Sequence, residues 1–478
     1  MSTRFKQLTG ASAAVLALTL CACSSMAPDY QRPAAPVAAN FGSENAGGTA
    51  ASAIEWRQFF SDARLQALIT LALANNRDLR IAVLNIEQAR AQYDIRRADQ
   101  WPTVNAGLSG SRLPTSAGSI SSTYSAGVLV TAYELDLFGR VRSLGDAALA
   151  QYLASEEARK ATQISLVATV ATSYLALQGN EELLRVTRET LFTRETSLRL
   201  IKLRYDNGAS SQIDLRQAES LLESARVALA QATRQRALDE NALVLLLGQP
   251  LPATLPAAVP ITDAATLPEL ATGLPSDLLV RRPDIRQAEQ LLIAANANIG
   301  AARAAFFPKI SLTASLGSVS NELSGLFKAG SGGWSFAPQL LQPVFDAGRN
   351  QGNLQVAQVG RDIALAQYER AIQSAFREVS DALAGRATLG EQLRAQQAVV
   401  RAEQDRYRLS DLRYRNGVAS YLDALDAQRS LFAAQQAQVQ LLAQYQQNGV
   451  TLYRVLGGGW SAPSAANLKR PVRGALGV

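Results

Sequence analysis

Residues 203–208 read Leu-Arg-Tyr-Asp-Asn-Gly, and residues 412–417 repeat them as Leu-Arg-Tyr-Arg-Asn-Gly. The same spacing carries the Ile-Asp of 213–214 onto the Leu-Asp of 422–423. The chain is therefore two copies of one unit of roughly 200 residues, and a repeat of this kind governs the whole fold. Such a duplication suits a symmetric wall, tube or channel better than an enzyme with a single active site.

Each copy contains an unusually long helical pattern. No proline or turn cluster interrupts residues 140–206 or 348–415, which predicts two helices, each on the order of 100 Å long at 1.5 Å per residue. After each turn, 211–247 and 420–456 continue as helices. Apolar residues there step by three and four, starting from Leu215, which is the spacing of a supercoiled seam. Helices of this length are typical of coiled coils.

The stretch before each long helix has a different spacing of apolar residues. In 103–135 and in 309–344, apolar and polar residues alternate, and turn-rich loops divide each stretch in two. Alternation with period two predicts strands with one apolar face. Each copy thus contributes one β-hairpin, giving four strands per chain.

These patterns divide the chain into two structural repeats with flanking segments. The predicted parts are a signal peptide at 1–22, a Pro/Ala-rich tether at 23–53, a first repeat at 54–248, an equatorial connector at 249–275, a second repeat at 276–459 and a loose C-terminal tail at 460–478.

Composition excludes several classes of site. The chain has no histidine and only two cysteines, both of which lie in the leader. Zinc sites, Ser-His-Asp triads and a disulfide framework are thereby excluded, so we expect no catalytic residues, no metal and no cofactor beyond a covalent lipid. The net charge of +7 is spread along the chain, which favours solvated helix faces over nucleic-acid binding.

The leader has the features of a bacterial lipoprotein signal. Basic Arg4 and Lys6 precede a short apolar run, and the sequence Leu-Cys-Ala-Cys at 20–23 resembles a lipobox. Cys23, preceded by alanine, fits the lipidated position better than Cys21, which follows a bulky leucine. An unlipidated exported chain is the alternative. A lipid on Cys23 would anchor the chain at a membrane. In such lipoproteins a serine after the cysteine, here Ser24, implies sorting to the outer membrane.

No apolar run after Cys23 approaches the length of a transmembrane helix. A chain that crosses a bilayer without such helices needs a closed β-barrel, since lipid cannot satisfy an open sheet edge. Four strands are too few to close one, because known barrels begin at eight strands. Three chains would supply twelve strands around an open lumen, so we expect a homotrimer.

The chain resembles the TolC-like outer-membrane efflux channels, and within them the OprM-type lipoprotein subgroup. The segments that carry the resemblance are the two repeated turns, PDYQRP at 28–33, ELDLFGR at 134–140, RRPDIR at 281–286, AAFFP at 304–308 and FDAGR at 345–349. The resemblance implies a mainly α protein with a membrane β-barrel: a homotrimer whose 12-stranded barrel continues into a 12-helix periplasmic α-barrel. It also implies docking onto a periplasmic adaptor and an inner-membrane RND-type transporter.

The predicted functional site is the helical tip, which we define as the turns at 207–211 and 416–420 with the helix ends that flank them. Asn207-Gly208 and Asn416-Gly417 have the form of helix stops, because glycine adopts the left-handed C′ conformation without strain. A serine follows each turn with an aspartate three residues on, which predicts capping boxes that include Asp214 and Asp423.

The resemblance also implies a periplasmic gate. Asp426, together with Asp423, matches the aspartates that line the constriction in related channels. Tyr414, Arg413 and Arg415 are candidates for contacts that hold the tip closed, and Arg408 is another. Whether Asp423 is a gate or a helix cap stays open at this point.

Three alternatives to a drug-type efflux channel stay open. One is the outer-membrane exporter of a type I protein secretion system. Another is a periplasmic structural coiled-coil lipoprotein, which would lack the alternating hairpins. The third, a carboxylate-dependent enzyme, would need acidic pairs that converge in a pocket.

Overall fold

The computed structural model describes residues 25–38, 41, 49–51, 54–114, 116, 118–263, 267–268, 270–271 and 281–459. The predicted signal peptide, the lipidation site Cys23 and the C-terminal tail lie outside these ranges, as does part of the connector. Contacts divide the chain into two compact units, one that includes 84–157 and 286–371 and another that includes 158–285 and 372–459.

Helices account for most of the described chain. They are α1 (Trp56–Phe59), α2 (Ala63–Asn75), α3 (Arg77–Ala98), α4 (Arg140–Asp206), α5 (Gln212–Leu247), α6 (Pro283–Ala304), α7 (Arg349–Arg415) and α8 (Tyr421–Val455). Both α4 and α7 have 67 residues, and their bounds agree with the predicted long helices to within one residue. In the ranges that the structure describes, no helix combines the length and the apolar character needed to cross a bilayer.

Strands form one small and one larger sheet. The strands are β1 (Thr49–Ala50), β2 (Val104–Pro114), β3 (Ile120–Leu135), β4 (Leu270–Ala271), β5 (Lys309–Ser320) and β6 (Gly332–Leu341). The larger sheet has the order β2-β3-β5-β6 and is antiparallel throughout. Both hairpins that the alternating pattern predicts are therefore present, which is the feature a purely coiled-coil lipoprotein would lack.

The two hairpins join at glycines. Gly127 of β3 lies opposite Gly317 of β5, and a Cβ atom built on Gly127 would collide with the carbonyl oxygen of Leu316. A side chain at either position would force the strands apart. The β3–β5 register also shifts between Val130 and Tyr133, where Ala132 has a positive φ of 50°. A bulge at this point bends the strand.

The predicted hairpin boundary at 344 is wrong by a few residues. The last strand ends at Leu341, and Pro343 follows in an irregular segment. Leu341 pairs with Lys309, the first residue of β5, so the ladder ends where its partner strand begins.

The start of the predicted tether is bound to helix α6 within the first unit. The Arg32 guanidinium makes two hydrogen bonds to the Glu289 carboxylate, at 2.7 and 2.8 Å, and the Tyr30 hydroxyl donates to the same carboxylate at 3.1 Å. Asn296 donates to the carbonyl of Pro28 at 2.6 Å. The segment 28–33 is thus a docked strap, and its motif supplies the contacts.

The core of the second unit contains both aromatic stacking and a buried charge. The rings of Phe59 and Tyr453 stack with centroids 4.0 Å apart. Arg282 is 6% exposed and donates hydrogen bonds to Asp284 and Glu378. A buried cation needs such partners, so the RRPDIR motif has a structural role here.

Candidate functional site

The two turns of the helical tip have the same backbone construction. Gly208 and Gly417 both have a φ of 71°, in the left-handed region that favours glycine. The side-chain amide of Asn207 donates to the carbonyl of Leu203 at 2.7 Å, and the side-chain amide of Asn416 repeats this contact with Leu412 at 2.8 Å. The carbonyl of Leu203 and the carbonyl of Leu412, both in the last turn of a long helix, therefore each have a side-chain donor.

Capping boxes start the helices that follow. The backbone N–H of Asp214 donates to the Ser211 hydroxyl at 3.1 Å, while the backbone N–H of Ser211 donates to the Asp214 carboxylate, also at 3.1 Å. Ser420 and Asp423 form the same reciprocal pair at 3.3 and 3.1 Å. Each box satisfies two otherwise free donors of a helix start. The carboxylate of Asp423 is thus occupied as a cap within its own chain.

A shared apolar cluster holds the two turns together. Ile201, Leu215, Ala218, Tyr421 and Leu425 are all buried in it. Tyr414 packs against this cluster, with its ring centroid 5.2 Å from that of Tyr421. On its other side, the Arg204 guanidinium lies 4.7 Å from the centre of the Tyr414 ring. Tyr414 therefore ties the first-copy turn to the second by packing and a cation–π contact.

Tyr421 is buried with an unsatisfied hydroxyl. It is 7% exposed, and its hydroxyl has no hydrogen-bond partner in the described chain. Burial, helped by the nearby Tyr414 and Tyr407, raises the pKa of Tyr421 above its usual value. The neutral form is therefore favoured strongly at this position.

Asp426 lies one helical turn beyond the cap, where it pairs with Arg406. The Nη2 atom of Arg406 donates to the Asp426 carboxylate, and Nη1 donates to Glu403 at 3.1 Å and to the Ser430 hydroxyl at 3.4 Å. The hydrogen bond to Asp426 is the main cause of a raised pKa for Arg406. Both side chains of this ion pair are about half exposed, so its contribution to stability is small.

Arg406 was not among the residues predicted for the gate, although its position in the sequence gives a usable signal. Arg406 and Asp426 are equally distant along the chain from Asn416 at the turn. In an antiparallel helical hairpin, residues equidistant from the turn lie opposite each other, so this pair follows from the register of the hairpin.

The predicted locking residues have different surroundings. Arg415 pairs with Asp411 of its own helix at 2.8 Å, and Arg408 pairs with Asp405 at 3.7 Å. Within the described chain, the Arg413 guanidinium has no carboxylate within 4 Å. Among the described residues, Tyr414 contacts Tyr421 of the second copy and Arg204 of the first.

A cavity of about 240 Å³ lies on the tip beside these residues. Tyr407, Asp411, Tyr414, Arg415 and Tyr421 are among its lining residues. Nowhere in the described ranges do three or more acidic, cysteine or histidine side chains gather in a way that would hold a metal ion.

Comparison with known proteins decides the family. The profile described as outer membrane efflux protein matches residues 68–249 and again 274–458. The chain belongs to the outer membrane efflux protein family. The profile thus covers each of the two sequence repeats, and the resemblance noted from the motifs is confirmed.

Relatives of this outer membrane efflux protein cover almost its whole length. It is 50% identical over 462 residues to the probable efflux pump outer membrane protein TtgC of Pseudomonas putida, covering 94% of this chain and 95% of the relative. It is 48% identical to the outer membrane protein OprJ of Pseudomonas aeruginosa, covering 95% and 97%.

A solved structure shows the same fold in this family. The MtrE outer membrane channel of Neisseria gonorrhoeae, in its open state, is 42% identical and superposes with a TM-score of 0.86 over 91% of this chain and 98% of that one. The mainly helical architecture with a few strands is therefore that of the outer-membrane channels.

Proposed function

We propose that this protein is the outer-membrane channel of a tripartite efflux pump and passively conducts drugs or other small molecules from the periplasm to the exterior. The observation that carries the proposal is the combination of an antiparallel four-stranded sheet with two 67-residue helices in one duplicated chain. The efflux-pump names of the relatives support the small-molecule cargo.

We infer that three chains assemble the channel. Four strands per chain leave two open sheet edges, β2 and β6, whose backbone groups need partners in lipid. Joining β2 of one chain to β6 of the next closes a 12-stranded barrel when three chains meet. The helices of the three chains would then surround a 12-helix tunnel, and closed cyclic symmetry is the common form of such assemblies.

The proposed partners follow from this architecture. The helical tip would meet a periplasmic adaptor and, through it, an inner-membrane RND-type transporter that supplies the energy. A lipid on Cys23 would add an anchor at the outer membrane, and the strap at 28–33 would hold the chain that leads to it. Mass spectrometry of the mature N-terminus tests the lipid: an acylated Cys23 is expected, and an unmodified Cys23 contradicts it.

The proposed gate is the acidic part of the tip. Three copies of Asp426 around one axis would form a ring of carboxylates that attracts cations. Asp423 is a weaker member of this ring because its carboxylate is engaged in the capping box. Arg406, Tyr414, Arg413 and Arg415 are the groups that would hold the ring closed at rest.

Complementation of an efflux-deficient host tests the function. The chain is expressed with its cognate adaptor and transporter in cells that lack their own outer-membrane efflux protein, and drug accumulation is measured. Restored efflux is expected. Gly127→Val should abolish it, because the added Cβ atom collides with the Leu316 carbonyl of the neighbouring strand.

Gly332→Val is the matched control for this variant. Gly332 also lies in a strand, but nothing lies within 4 Å of a Cβ atom built there. Efflux should therefore survive this substitution. No restored efflux with the wild-type chain present in the outer membrane, or equal efflux with Gly127→Val, contradicts the proposal.

A further inference from the structure

A cavity in the second unit contains a buried arginine that has no carboxylate within 4 Å among the described residues. Arg194 of α4 is 5% exposed, and it lines a cavity of about 480 Å³ together with residues of α5 and α8. Its Nη1 atom donates to the Leu221 carbonyl at 2.8 Å, while Nε has no acceptor in the described chain. The guanidinium carbon lies 5.3 Å from the centre of the Phe432 ring.

The charged neighbour that acts on Arg194 is Arg429, which has the same sign. Burial and, after it, the proximity of Arg429 lower the pKa of the Arg194 guanidinium below its usual value. Arg429 also lines the cavity, and within the described chain it has no carboxylate within 4 Å. Burying a cation beside another cation costs free energy, because the lost hydration is not replaced by a partner of opposite charge.

Asp426 does not supply the missing charge. It lines the same cavity, but its carboxylate accepts from Arg406 and its side chain is 57% exposed. No carboxylate is among the groups that shift the pKa of Arg194. The cavity also presents Gln217, Ser220 and Ser224, which are further polar groups for a ligand.

We propose that Arg194 and Arg429 bind a small oxyanion, phosphate or a carboxylate, in this cavity. Guanidinium groups pair with carboxylate and phosphate oxygens through charge-assisted hydrogen bonds, which are among the stronger ones in proteins. The cavity has room for such an anion with several waters, since one water occupies about 30 Å³ in the liquid. A bound anion there would balance the two arginines next to Asp426.

Calorimetric titration of the full-length protein in detergent tests this site. Inorganic phosphate and, separately, acetate are titrated in a sulfonate buffer at constant ionic strength set with sodium chloride. We expect saturable binding of one anion per chain, and the two titrations distinguish phosphate from carboxylate as the preferred ligand. Arg429→Gln should weaken the binding at least about tenfold, because a charge-assisted contact is lost.

Two further variants make the test specific. Arg216→Gln removes the same charge from an exposed arginine of α5 that pairs with Glu219, and it should leave the affinity unchanged. Asp426→Asn should tighten binding, because it removes a carboxylate from the cavity wall. The proposal is overturned by a wild-type chain that binds neither anion saturably, or by equal affinity in Arg429→Gln, or by an equal loss in Arg216→Gln.

Discussion

The two turns of the helical tip share a backbone but differ in the side chains around it. Asn-Gly stops and Ser-Asp capping boxes are the same at 207–214 and 416–423. By the repeat spacing, however, Tyr421 corresponds to exposed Gln212, and Asp426 corresponds to Gln217. The duplicated residues thus build the turn. The buried aromatic anchor Tyr421 and the acidic residue Asp426 occur in the second copy alone.

The largest expected difference between the copies is the loss of tip stability when the anchor Tyr421 is removed. Tyr421→Ala empties a buried aromatic position in the shared cluster and should destabilise the tip by about 3–5 kcal/mol. Gln212→Ala, the matched exposed position, should change stability by less than about 0.5 kcal/mol. Hydrogen exchange of the amides around both turns measures the free energy of opening. Similar protection in the two variants would show that the anchor is not specific to the second copy.

The same tyrosine should make the tip sensitive to alkali. Because burial raises the pKa of Tyr421 in the folded chain, the unfolded tip loses this proton first as pH rises. Stability should therefore fall above about pH 10 by up to about 1.4 kcal/mol per pH unit. Tyr421→Phe should reduce this slope and leave the part due to Tyr407, whose pKa is also raised by burial. It should cause no loss at neutral pH, because the replaced hydroxyl has no partner in the described chain. Identical alkaline unfolding curves for the two proteins contradict this account.

The capping boxes should respond equally in both copies. Asp214→Ala and Asp423→Ala each remove one reciprocal cap, at an expected cost of about 1 kcal/mol in helix stability. Hydrogen exchange of the first turn of α5 and of α8 measures the two effects. A much larger effect of Asp423→Ala would mean that this carboxylate does more than cap a helix.

The smallest expected effect on stability comes from the ion pair. Arg406→Ala removes a half-exposed partner of Asp426 and should leave thermal unfolding almost unchanged. In planar bilayers it should nevertheless raise the resting conductance and the cation selectivity, because the Asp426 carboxylates lose their nearest cation. Arg401→Ala, an exposed arginine elsewhere on α7, is the control. Equal conductance in both variants would exclude Arg406 from the gate.

Local signals in the sequence were sufficient for the regular elements and the turns. Glycine stops, serine caps and the change from period two to helical spacing are set by residues close together in the chain, so α4, α7 and both hairpins were predicted. The end of β6 was misplaced because the apolar pattern continues past Leu341, which pairs with Lys309 at the start of β5.

Contacts between distant segments were harder to predict. Arg32 binds Glu289 across a large sequence separation, so a Pro-rich segment that resembles a tether is a docked strap. Predicting the Arg406–Asp426 pair requires the register of the helical hairpin. Predicting that the like-charged Arg194 and Arg429 lie close together requires the packing of three helices. Composition and spacing carry none of this information.

We propose that the acidic group of the second copy, Asp426 with Asp423, controls the channel. Single-channel recordings in planar bilayers test it with the double variant Asp423→Ala/Asp426→Ala against the matched first-copy variant Asp214→Ala/Gln217→Ala. We predict that only the second-copy variant loses cation selectivity and block by multivalent cations. Unchanged selectivity in that variant, or an equal loss in both, would contradict the claim and leave these aspartates as ordinary helix-start carboxylates.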